Sequence, residues 1–122
     1  TRRMNSEELK ARTKQSALRV MKLVGALPRT TVGRAIGGQL VRSGTSVGAN
    51  YRAACRARSK AEFTAKLGTV AEEADATCFW LELIIEGELL PVKRVVTLLE
   101  EANALTAIFT SAVRTSKLGN NR

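Results

Sequence analysis

Residues 43–63, SGTSVGANYRAACRARSKAEF, set glycines and small hydroxylated side chains directly ahead of an arginine cluster. Such a stretch is a loop, a phosphate-binding turn, or a helix built for close packing. The phosphate-binding turn fails, because GTSVG follows no strand-like run and lacks the Gly-Lys-Ser/Thr ending that such loops require. Placed at 100° per residue, Ile36, Leu40, Val47, Tyr51 and Ala54 share one arc, and Gly37, Val41, Gly44, Gly48 and Cys55 share the next. The glycines therefore line a groove beside an apolar stripe. Each costs a helix roughly 1 kcal/mol against alanine, which close approach of a neighbouring helix offsets through dispersion contacts. The stretch is thus one helix ending and, at Ser59-Lys60-Ala61-Glu62, a capping box that starts another.

Working outward, punctuation divides the chain into four helices at about 5–27, 31–57, 60–86 and 91–116, in a single domain over 1–122. Asn5 caps the first, with Glu8 at its third position, and Leu9, Ser16, Val20, Leu23 and Leu27 form its stripe up to Pro28. Thr30 or Thr31 caps the second. Phe63, Leu67, Val70, Ala74, Cys78, Leu81 and Ile85 recur at alternating threes and fours in the third, and Gly87 sits where a C-terminal cap belongs. Pro91 opens the fourth, with Val95, Leu98, Ala102, Leu105, Phe109 and Ala112; the tail KLGNNR is expected to fray. Helices of this length and spacing with short links predict an all-α fold, an antiparallel up-down-up-down four-helix bundle.

Charge separates along the chain. Residues 1–61 hold 14 Lys/Arg against 2 Asp/Glu (+12), and residues 62–122 hold 6 against 9 (−3), which together give the net +9. A basic front half attracts polyanions, and it also attracts the back half of another copy. Arg34, Arg42, Arg52 and Arg56 fall within an arc of about 80° on the second helix, away from the glycine groove. No acid intervenes on that strip. Lys10, Arg12, Lys14, Arg19 and Lys22 extend the basic surface onto the first helix, and Arg58 follows in the turn. Three partners fit such a face: RNA or DNA phosphate, an acidic protein, or solvent alone. Stacking aromatics are nearly absent from it, so nucleic-acid contact would be backbone-led and weakly sequence-specific.

A third strip of the second helix, Gln39, Ser43, Ser46 and Asn50, is expected to hydrogen-bond across to a neighbouring helix. On the third helix, Phe79 and Leu83 fall opposite the core stripe with Trp80 on the flank, which predicts a subunit interface. Glu72, Glu73, Asp75 and Glu82 lie on or near that face, so a neighbour's basic helix could meet it head to tail.

Enzymatic chemistry finds little support. There is no histidine, which removes the commonest general base and metal ligand. Cys55 and Cys78 sit on apolar arcs, where a thiol is inert and a reduced pair is expected. Glu72/Glu73 and Glu100/Glu101 are adjacent in sequence, so each pair diverges by about 100°. A non-enzymatic binding protein without cofactor or metal is expected. No run approaches the ~20 apolar residues of a membrane span, and TRRMNSEELK does not resemble a secretory signal. A reducing cytoplasm is the expected setting.

The segment QLVRSGTSVGANYRAACRARSKAEF, residues 39–63, resembles the signature of the four-helix-bundle family of 23S rRNA intervening-sequence proteins. Gln39, Arg42, Ser46, Asn50, Arg58, Ser59, Glu62 and Phe63 match that pattern in order and spacing, and KLGTVAEEADATCFWLEL continues it. The resemblance is specific from about residue 36 to 86 and generic elsewhere. It implies a small basic bundle assembling into a homopentameric ring. It also implies nucleic-acid binding or, as in the related accessory proteins of diversity-generating retroelements, partnership with a reverse transcriptase. It carries over no catalytic residue. The chain departs from the pattern at Ala53 and Ala76, where the family tends to have acidic side chains.

Overall fold

The computed structural model describes residues 4–120, and all of its regular structure is helical. Four helices follow in order: α1 Ser6–Gly25, α2 Thr31–Cys55, α3 Lys60–Glu86 and α4 Val92–Asn120. Each packs on the next around the bundle, and α1 touches α4 only lightly. The first two helices stop about two residues before the sequence pattern suggested. The fourth does not fray at Lys117 but continues helical to Asn120.

Capping explains the helix starts. The Asn5 side chain accepts from the Glu8 N–H at 2.9 Å and Glu8 accepts from the Asn5 N–H at 3.0 Å, a complete capping box. Thr30 accepts from Gly33 N–H at 3.0 Å. Ser59 accepts from Glu62 N–H at 3.1 Å, but Glu62 turns to the Arg58 N–H at 3.1 Å, so this second box is only half formed. The end of α3 also differs from expectation. Gly87 has an ordinary φ of −83°, and the left-handed residue is Glu88, at φ 56°. The amides of Glu88 and Leu89 bond to the carbonyls of Ile85 and Ile84 at 3.0 and 2.9 Å, a Schellman stop.

Two apolar clusters fill the interior. One gathers Val20, Leu23, Leu27, Leu40, Cys78, Leu81, Ile84, Val95, Leu98 and Ala102. The other holds Val47, Tyr51, Ala54, Leu67, Val70, Ala74, Leu105 and Phe109, with the Tyr51 and Phe109 ring centres 5.2 Å apart. The stripe of α3 closes on Ile84, fully buried, and Ile85 lies at its margin, because 3.6 residues per turn outruns a strict heptad. Cys55 and Cys78 are both free thiols, and burial pushes the Cys78 thiol up from its ordinary value.

The glycines of α2 set the distance to α1. A Cβ on Gly37 would meet Leu27 and Val24 at 3.1 and 3.2 Å, one on Gly44 both methyls of Val20 at 2.8 Å, and one on Gly48 the Thr13 hydroxyl at 3.2 Å. At each of these places α1 occupies the volume that a larger residue would need.

Candidate nucleic-acid interface

Close approach of α1 and α2 merges their outward faces into one surface. Arg52, one turn on from Gly48, and Lys14, beside Thr13, fall at the same level of the seam. At the other end, Arg29 and Arg34 line a shallow hollow with Val24, Pro28 and Gly38. From Arg34 to Arg56 the surface runs about 33 Å along α2, close to one turn of a nucleic-acid duplex. Lys14, Lys22, Arg29, Arg34, Arg52, Arg56 and Arg58 are exposed, and among the described residues no carboxylate pairs with them.

Four cations depart from the expected picture, the first being Lys10, which pairs with Glu7 at 3.2 Å within α1. Arg42 is not unopposed, since α3 brings Glu73 across the α2/α3 seam, and both guanidinium nitrogens bond to its carboxylate at 3.2 Å. The pair is half in water, with Arg42 56% and Glu73 20% exposed. Arg12 points toward α4, where Glu101 takes two hydrogen bonds at 2.7 and 2.8 Å. That contact holds the guanidinium above its ordinary range against the opposing effect of burial. Arg19 reaches α4 as well, donating to the Thr97 hydroxyl at 3.3 Å. Glu73 and Glu101 were invisible as partners because pairing across helices depends on register, which periodicity within one helix does not specify.

The polar strip of α2 is also corrected. Ser46 donates to the Arg42 carbonyl at 2.6 Å and Asn50 to the Ser46 carbonyl at 2.9 Å, both within α2, while Gln39 is exposed. Hydroxyl and amide groups one turn apart reach their own backbone more easily than a neighbouring helix. Only Ser43 ties helices together, accepting from Thr77 at 3.0 Å in the core.

On α3 the outer face has a simple order. Glu72, Asp75, Phe79, Glu82 and Glu86 are all exposed and share an arc of about 80°. Phe79 is 51% exposed at the middle of this acidic row, with Trp80 edge-on at 5.0 Å. Trp80 and Leu83 are half-buried, so Phe79 is the one of the three that is exposed. The Trp80 indole N–H is buried without an acceptor among the described residues. No group of three or more His, Cys, Asp or Glu with metal-binding geometry occurs among the described residues, and no described helix is long and apolar enough to cross a membrane.

Fold and surface together define a basic four-helix bundle with cations concentrated on one pair of helices. The family model of the 23S rRNA-intervening sequence proteins matches residues 7–111, and the chain belongs to that family. It is also similar to the crystal structure of a protein of unknown function from the S23 ribosomal protein family of Bacteroides thetaiotaomicron VPI-5482. The two share 30% identity with a TM-score of 0.83, over 91% of this chain and 99% of that one. No curated protein matches the chain.

Proposed function

We propose that this protein binds RNA or DNA through the phosphate backbone, using the α1/α2 surface, and acts as a binding protein rather than an enzyme. The observation that carries the proposal is the run of exposed cations from Arg29 and Arg34 to Arg52, Arg56 and Arg58, with no carboxylate paired to them among the described residues. Surfaces normally mix signs, and guanidinium forks suit phosphate. No aromatic side chain is exposed on that surface to stack on bases, so contacts are to phosphate and sequence preference is weak.

Self-association multiplies these contacts. The acidic row on α3 with Phe79 at its centre complements a basic face on another copy, which favours a head-to-tail ring over a symmetric dimer. The pentamer is the assembly that the family resemblance suggests. Repetition of weak phosphate sites around such a ring raises avidity without new chemistry. The test is fluorescence anisotropy with labelled RNA and DNA on Arg52→Glu/Arg56→Glu. Both side chains are exposed, so the variant is expected to melt like wild type and to lose binding to both. Retained binding at unchanged affinity contradicts the proposal.

A further inference from the structure

At the end of the bundle where α1 begins, the four helices do not close. Antiparallel pairing of Arg12 with Glu101 sets the start of α1 level with roughly residue 107 of α4. The last turns of α4 and the first turns of α3 therefore run past the start of α1, and among the described residues no helix is laid over them. The result is a cleft of about 640 Å³, within the usual range for small-molecule sites. Leu9, Phe63, Leu67, Ile108, Phe109 and Ala112 form its walls. Its polar lining comes from Tyr51, Ser111, Thr115 and Ser116 along its length and from Lys60 at its outer end, and no Asp or Glu is among the described residues that line it. Lys60 lies across Gly119, where a Cβ would meet its Nζ at 3.1 Å and its Cε at 3.3 Å, so the ammonium group stands at the mouth.

From this geometry we infer that the cleft binds an amphipathic monoanion: a single medium-length acyl chain ending in a carboxylate. From Lys60 to Leu67 the α3 wall rises about 10 Å, room for a chain of that class lying along the bundle axis. The apolar walls take the chain, and burial of its methylenes drives binding. Lys60 takes the carboxylate at the outer end, and the Ser111 and Thr115 hydroxyls lie farther in along the α4 wall. A cationic amphiphile is disfavoured, because among the described residues the one charged side chain lining the cleft is positive. This site is separate from the α1/α2 surface and does not rest on nucleic-acid binding.

Isothermal titration with decanoate, below its micelle concentration, tests it on the whole chain. Wild type is expected to bind saturably, with decylamine at least tenfold weaker. Lys60→Glu, an exposed change, is expected to weaken decanoate at least tenfold with the thermal melt unchanged. Ala112→Phe, which fills the cleft from a half-buried position, is expected to abolish binding. Non-saturable uptake overturns the inference, as does equal affinity for decanoate and decylamine or unchanged affinity in Lys60→Glu. If Ala112→Phe fails to fold, the charge-reversal and ligand-charge comparisons decide alone.

Discussion

A Cβ placed on Gly44 would lie 2.8 Å from both methyl carbons of Val20, a side chain with no exposed surface. Neither helix has slack there, because Val20 is held by the core on its other sides. This contact brings α1 and α2 close enough for their cations to share a surface, so packing and proposed function meet at one position.

Gly44→Ala is accordingly expected to destabilise the protein by about 1–3 kcal/mol through overpacking, despite alanine's better helix propensity. Gly38 is the internal control, since a Cβ there meets nothing within 4 Å. Gly38→Ala is expected to stabilise by up to about 1 kcal/mol. Urea unfolding of the two variants checks the opposite signs.

Glu88 holds φ 56° at the end of α3, a conformation that glycine adopts without a Cβ clash. Glu88→Gly is expected to stabilise by about 0.5–1 kcal/mol, read as a rise in denaturation midpoint. The adjacent Gly87→Ala has the opposite expectation, because its Cβ would meet the Leu83 carbonyl oxygen at 2.8 Å.

Tyr51 is 5% exposed, and burial raises its phenol above the ordinary value of 10, with its contact to Cys55 acting in the same direction. The neutral phenol is favoured in the folded state, so above pH 10 the unfolded chain binds fewer protons than the folded one. Stability is therefore whole below pH 10 and falls as pH rises beyond it. Tyr51→Phe is expected to flatten that alkaline limb in denaturant titrations run from pH 8 to 11.

Arg42 is engaged by Glu73 at 3.2 Å, so it reaches phosphate only by exchanging that partner. Glu73→Gln is expected to tighten nucleic-acid binding about threefold to tenfold by freeing one cation. Its effect on stability should stay within about 1 kcal/mol, as for other solvent-exposed pairs. A variant that binds no more tightly would place Arg42 outside the contact surface.

Much of the fold was legible because its signals are local. Asn5 with Glu8, Thr30 and Ser59 announce helix starts within a few residues, and the stripe from Leu67 to Leu81 follows from period alone. The glycine line of α2 was also readable, since three residues on one arc imply a neighbour. What escaped depends on how helices meet. Glu73 beside Arg42 and Glu101 beside Arg12 follow from interhelical register. The cleft follows from α1 having 20 residues where α4 has 29. Ser46 and Asn50 were misassigned for a different reason: their own backbone, one turn away, competes with any neighbouring helix for the hydrogen bond.

The central claim is that phosphate meets the α1/α2 cations, and the salt dependence of binding tests it most directly. The logarithm of the association constant for a labelled duplex, plotted against the logarithm of salt concentration, should fall on a line of slope about −3 or steeper. Neutralisation of three or more phosphates gives that slope, and Arg52→Glu/Arg56→Glu should make it shallower. A slope near zero, or binding that persists unchanged from low to physiological salt, would contradict the account.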